Sequence, residues 1–239
     1  KRVQHEINHD YLYCFGYNDK KNNILTNWKV KNTCPIGSLR AGIALSKFKS
    51  SNKKYDLCLI SEYESRKKND PDKHHWNDHW LEVSEIISQL IKKNNYKIII
   101  ALKGHGGTNE INFFQSLFPA NIEYSNPKKE YDSYRAILES NLTLGFCSTL
   151  LVESMALKTK VLQVNTADSN EYFNFNDIFI HKYVNLHILE DNIRELIPMT
   201  YEEYFNKIRK FLPEYMNIDS SNLPHNLIQT NIKEILSST

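Results

Sequence analysis

Short apolar runs alternate along the chain with longer segments whose apolar residues recur at helical spacing. Tyr55–Ser61 and Tyr96–Leu102 are almost wholly apolar, which predicts strands buried on both faces of a sheet. Trp76–Lys93 instead carries Trp80, Val83, Ile86, Ile87, Leu90 and Ile91 on one side, which predicts an amphipathic helix. The same reading gives an aromatic-rich strand over Tyr11–Gly16, strand-like sequence over Ile24–Trp28 and Lys29–Ile36, and a short helix over Ala41–Phe48. Beyond Leu102 it gives a helix over Glu110–Phe118, a brief strand at Ile122–Tyr124 and a helix over Tyr131–Glu139. A strand at Leu142–Phe146, a helix over Thr149–Leu157 and strands at Lys160–Val164 and Ile178–His181 follow. Leu189–Leu196, Tyr201–Phe211 and Leu227–Leu236 are helices that finish the chain.

Strands alternating with helices predict an α/β fold: a Rossmann-like parallel sheet with helices on both faces and a helical C-terminal tail. The division this suggests is an entry segment over 1–36, a Rossmann-like domain over 37–185 and packing helices over 186–239. In such sheets ligands bind beyond the carboxyl ends of the strands, so the segments just after each strand are where chemistry is sought.

Composition narrows the classes. With 41% hydrophobic and 12% aromatic residues the chain can fill a core, and a formal charge of +2 argues against capture of nucleic acid by bulk charge. No apolar run reaches the length of a membrane span or the pattern of a signal peptide, so a cytoplasmic location is expected, with other domains providing any contact with the inner face of the membrane. The four cysteines, Cys14, Cys34, Cys58 and Cys147, form no CxxC pair, and three of them sit among apolar residues, as expected of reduced, buried thiols. The chain opens at Lys1 and runs almost at once into strand-like sequence, which is the expectation for a piece of a longer protein.

Glycine-rich dinucleotide and P-loop signatures are absent. The most informative stretch is 132–165, which reads helix, strand, turn, helix, strand. Ser148 and Thr149 stand where a strand ends and a helix begins, so their hydroxyls and the free amides of the first turn would suit an anion. Glu153 lies one turn on, where a carboxylate would accept from a ribose diol; ordinary helix capping accounts for the same residues equally well.

Ser140-Asn141 at the end of a helix, an apolar strand, Ser148-Thr149, Glu153-Ser154-Met155-Ala156-Leu157 and Lys160-Val161-Leu162 together resemble the donor-binding half of GT-B glycosyltransferases. The nearest groups are bacterial surface-carbohydrate and capsule enzymes, including those that transfer Kdo or sialic acid. Leu157-Lys158-Thr159-Lys160 departs from the glycine and proline usual there, and Pro35–Arg40 resembles the run by which these enzymes enter their C-terminal domain.

The resemblance implies transfer of a sugar from a nucleotide-activated donor to a surface glycan acceptor, without a bound metal or other cofactor. It implies phosphate contacts at Ser148 and Thr149, a ribose contact at Glu153, and a cleft floor from Gly37, Ser38 and Arg40, Ser61 and Glu62, and Lys103, Gly104 and His105. Lys103-Gly104-His105 stands where similar enzymes carry Lys-Pro-His-Pro. The acceptor and catalytic base would come from an N-terminal half or a partner domain. Rival readings are a nucleotide-sugar 2-epimerase, a non-catalytic Rossmann-like binding module and a CDP-alditol phosphotransferase.

His75 and His79 are spaced i, i+4 with His74 adjacent, but no glutamate follows His75, so a rim with Trp76 and Trp80 partly packed fits better than zinc. The aromatic stretch Tyr172–Phe179 reads as a strand edge packing on the core before it reads as a sugar-stacking platform.

Overall fold

Six strands pair in parallel in the order β5–β4–β3–β6–β7–β8: β3 (Tyr55–Ile60), β4 (Ile98–Ala101), β5 (Glu123–Tyr124), β6 (Ser140–Gly145), β7 (Lys160–Val164) and β8 (Ile180–His181). In chain order within this sheet that is 3-2-1-4-5-6, the doubly wound arrangement, and the strand order reverses between β3 and β6. The register there aligns Leu57 with Leu142 and Leu59 with Leu144. A second, two-stranded parallel sheet joins β1 (Ile7–Cys14) to β2 (Trp28–Pro35). The computed structural model describes residues 7–19, 28–48, 52–64, 76–104, 106–118, 122–146, 148–164, 180–181, 186–218 and 222–237.

The period-2 geometry of the strands sorts their side chains to two faces. On one, Leu57, Leu59, Ile98 and Ile100 meet α2 (Trp76–Asn94), α3 (Thr108–Leu117), α6 (Leu186–Leu196) and α7 (Tyr201–Ile208). On the other, Cys58, Ile99 and Ala101 meet α1 (Leu39–Lys47) and α4 (Asp132–Leu138). Leu57, Leu59 and Ile100 are fully buried, each contributing roughly 2–3 kcal/mol of transfer free energy. Trp80 stands edge-on to Phe114 and Phe146, so it is the core residue its apolar helix side predicts and not part of a rim. Burial pushes the Cys58 thiol up to about 12 and that of Cys14 up to about 11, in keeping with inert, reduced cysteines.

Most elements lie within a residue or two of the prediction, and the departures have local causes. Ser140-Asn141 opens β6 instead of ending a helix: the Glu139 carbonyl accepts from the amides of Lys54 and Tyr55, so pairing with β3 begins there. The helix predicted over Tyr201–Phe211 ends at Ile208, and a separate short helix α8 (Leu212–Tyr215) begins with Pro213 in its first turn. The last helix α9 (Pro224–Ser237) starts at Pro224, where a missing N–H costs nothing. Helix α9 buries no residue fully, and Leu236 is 70% exposed. No helix among the described residues is long and apolar enough to cross a membrane. The Ile24–Trp28 prediction falls, except for Trp28, outside the described residues, as do His74, His75 and Tyr172–Phe179.

Two devices fasten the C-terminal helices to the sheet. The Lys160 ammonium at the start of β7 donates to the carbonyls of Leu196, Ile197 and Met199, where α6 ends and leaves its last carbonyls unpaired. The Tyr204 hydroxyl of α7 both donates to the Val161 carbonyl and accepts from its amide. At the opposite end, Asn217 ties β1 to β2: its amide donates to Phe15 O and its side chain to Pro35 O. Gly37 makes this approach possible, since it sits at φ +82° and a Cβ there would lie 2.3 Å from Asn217 O.

Lys160→Met is expected to lower stability by about 2–4 kcal/mol, because one buried and two part-buried carbonyls lose their donor. Burial holds the Lys160 ammonium down to about 8, below its unfolded value, so the unfolded chain binds the extra proton between pH 8 and 10. Folding stability from this group therefore rises with pH across that window. The gap in urea-unfolding free energy between wild type and Lys160→Met should widen from pH 7 to pH 9.5, and a gap that narrows would contradict it. Gly37→Ala is expected to cost at least about 2 kcal/mol, from the left-handed backbone and the overlap with a peptide oxygen, read as a lowered melting temperature.

Candidate functional site

Where β3 and β6 diverge at their carboxyl ends, a cleft of about 840 Å³ opens. Its floor is built from the turns that follow β3, β4 and β6, with α1, α4 and α5 (Thr149–Ala156) forming the walls. Seven of the sequence-predicted residues line it: Arg40, Ser61, Glu62, Lys103, Ser148, Thr149 and Glu153. Gly37 and Ser38 lie behind the wall. Ser38 caps α1 by accepting from the Ala41 amide at 3.1 Å, and Gly37 packs on Asn217. Gly104 adopts φ +83° against Pro127, and His105 falls outside the described residues.

Three glutamates, each at most 5% exposed, anchor the three loops. Glu62, just past β3, reaches across the strand reversal: its Oε1 accepts from the amides of Phe146 at 2.8 Å and Ser148 at 3.1 Å. Glu110, in the first turn of α3, folds back beneath the loop after β4. Its carboxylate accepts from the Lys103 amide at 2.7 Å, the Gly104 amide at 3.0 Å and the Ser61 hydroxyl. Glu153 on α5 accepts from the Ser38 hydroxyl at 2.6 Å and the Tyr134 hydroxyl at 2.7 Å, joining α1, α4 and α5 at one point. Burial, and then the charge of Glu153 and its hydrogen bond, raise the Tyr134 phenol well above its ordinary range, so Tyr134 remains a donor.

The cations of the cleft are held by less buried means. Arg40 is exposed, and its guanidinium carbon lies 5.6 Å from the centre of the Tyr134 ring, a cation–π placement. Lys103 is also exposed, but the backbone that carries it is fixed. The Leu102 amide donates to Ser125 Oγ at 2.9 Å, and the Leu102 carbonyl accepts from Ser133 Oγ at 3.0 Å. Asp132 steadies the neighbouring turn by accepting from the Asn126 amide and Arg135. Burial works against its charge, yet those donors bring its carboxyl below the ordinary range. Ser148 caps α5 through the Leu150 amide, while the Thr149 side chain is exposed to the cleft.

Glu110 and Tyr134 were not singled out from the sequence. Glu110 had a readable signal, a carboxylate in the first helical turn three residues after Gly107. Tyr134 had none, because its partner Glu153 is 19 residues away and meets it only in the fold. His79 is buried on α2 with its ring 5.6 Å from that of Phe146. Among the described residues no group of three His, Cys, Asp or Glu side chains converges in a way that would hold a metal ion.

Comparison with known proteins places the fold and the family. The chain shares its fold with the wall teichoic acid polymerase TagF, at 14% identity and a TM-score of 0.54, covering 95% of this chain and 59% of that one. It is similarly related to a structure from Listeria monocytogenes described as a "putative UDP-N-acetylglucosamine 2-epimerase", at 13% identity and a TM-score of 0.54, covering 87% of this chain and 54% of the other. The likeness is one of fold, that of a GT-B-like Rossmann half, and the chain spans less than three fifths of the length of either structure. No curated protein matches the sequence. A family model described as "putative O-antigen biosynthesis protein" matches residues 1–183, well over half of the chain, and the protein belongs to that family.

Proposed function

We propose that this chain is the donor-binding half of a GT-B-type glycosyltransferase of O-antigen biosynthesis, which passes a sugar from a nucleotide-activated donor to a surface glycan. The observation that carries this reading is the cleft at the reversal of a 3-2-1-4-5-6 sheet, lined by the cations Arg40 and Lys103 and by the hydroxyls of Ser61, Ser148 and Thr149. In glycosyl transfer the nucleotide leaves with its diphosphate charge. Positioned cations that meet this charge as it develops lower the barrier. Arg40 and Lys103 take that role here, and the exposed Thr149 hydroxyl adds a neutral donor. The acceptor and the general base come from a second half or partner domain. Ile232 of α9 is an exposed apolar position such a neighbour would cover.

One observation favours a second reading, transfer of an alditol phosphate from a CDP-alditol. A TagF structure soaked with CDP-glycerol shares this fold at a TM-score of 0.55 and 16% identity. A donor altered without any acceptor would instead indicate an epimerase.

A thermal-shift series with CMP, CDP, UDP, GDP and ADP at millimolar concentration tests the donor site. One nucleotide is expected to raise the melting temperature of the wild type. Arg40→Ala and Lys103→Ala, both at exposed positions, should each weaken that ligand about tenfold while leaving the unliganded melting temperature within a degree or two. Unchanged nucleotide shifts in both variants would remove the phosphate role from these residues. Glu153→Ala has a different expected outcome: a loss of about 2–4 kcal/mol in the unliganded protein, because the buried Ser38 and Tyr134 hydroxyls lose their acceptor. Chemical denaturation reads that loss directly, and an unchanged midpoint would refute the anchoring role.

A further inference from the structure

Of the two aromatic residues that line the cleft, Tyr134 is buried and its hydroxyl is committed to Glu153, whereas Phe15 is half-buried. Phe15 also differs in origin. It stands just past β1 of the two-stranded sheet, while the other lining residues belong to α1, α4 and α5 or to the strand ends and turns of the six-stranded sheet. Part of its side chain packs on the main core, and the rest faces the cleft. The backbone that carries it is fixed. The Phe15 amide donates to Asp19 Oδ2 at 2.9 Å, its carbonyl accepts from the Asn217 amide at 2.7 Å, and a Cβ on the neighbouring Gly16 would lie 2.5 Å from Glu214 O. An apolar side chain held in place before a ligand arrives loses little freedom on binding, so such a ring makes a better platform than a mobile one. A phenyl ring has no hydrogen-bonding group, and it answers to a flat apolar surface. A pyranose offers one, because C–H groups line a face of the sugar ring while its hydroxyls lie towards the edge.

Resting on the donor-site reading above, we infer that Phe15 is a specificity-determining residue whose ring stacks against the C–H face of the donor's hexose. The nucleotide lies over the turns of the six-stranded sheet, with its diphosphate at Arg40 and Lys103. The sugar, which has to reach the acceptor, meets the residue that the second sheet contributes.

Calorimetric titration of UDP, GDP, ADP and CDP, each beside its hexose ester (UDP-glucose, GDP-mannose, ADP-glucose and CDP-glucose), into the wild type, Phe15→Leu and Phe15→Tyr provides the test. For the nucleotide that binds, the wild type is expected to hold the ester more tightly than the bare diphosphate. Phe15→Leu keeps an apolar side chain against the core but removes the ring. It should weaken the ester about fivefold while leaving the diphosphate unchanged, and Phe15→Tyr should retain the full preference. Proton spectra of the ester with the wild type supply a readout that does not depend on either variant folding. The hexose C–H signals should move upfield on binding, through the ring current of an aromatic face. Hexose signals that do not move, equal wild-type affinity for ester and diphosphate, or an ester affinity unchanged in Phe15→Leu overturns the inference while leaving the donor site standing. An equal loss of both ligands in Phe15→Leu also overturns it, by assigning the ring to the base. No binding of any of these compounds to the wild type at millimolar concentration overturns the donor-site reading, and this inference with it.

Discussion

At the carboxyl end of a parallel strand the chain turns away, and the next amides lose their ladder partners. In this protein those amides meet buried glutamates. Glu62 takes the pair that follows β6, Glu110 takes the pair that follows β4, and Glu153 gathers hydroxyls from α1 and α4. A buried carboxylate is tolerated only when several donors converge on it, so each glutamate and its loop fix one another. The cleft keeps its shape because its lower wall is made of these mutual constraints, and among the described lining residues Arg40, Lys103 and Thr149 are the exposed ones.

The C-terminal helices obey the same requirement from the acceptor side. Helix α6 ends with unpaired carbonyls, and Lys160 supplies them from inside the sheet, while Tyr204 couples α7 to the same strand at Val161. Strand β7 is thus the common support of α6, through Lys160, and of α7, through Val161. Asn217 and Gly37 perform the corresponding junction for the β1–β2 sheet, where a peptide oxygen comes closer than any side chain would allow.

The chain belongs to the O-antigen biosynthesis family and has a GT-B-like fold. Under the donor-binding reading proposed above, the two exposed cations Arg40 and Lys103 would meet the anionic end of a donor, beside carboxylates held by hydrogen bonds. The charged lining residues of the cleft, Arg40, Lys103, Glu62 and Glu153, set positive and negative side chains close together.

The parallel sheet, its two covered faces and the loops that carry the cleft were legible in the sequence, because apolar runs of strand length alternate with amphipathic segments and local periodicity reports local geometry. Ser148 as a helix cap followed from the strand end before it, while Arg40, Lys103 and Glu62 were pointed to by the resemblance to GT-B donor halves, and all three line the cleft. The partners of the glutamates did not. Glu62 meets Phe146 across 84 residues, and Ser38 meets Glu153 across 115, so only the strand order that brings β3 beside β6 and α1 beside α5 decides which donor each carboxylate receives. The sequence alone determined which chemical groups stand at the strand ends; the tertiary structure decided which of them are consumed in holding the fold and which are left for a ligand, because hydrogen-bond partners distant in the chain are chosen by packing and not by spacing.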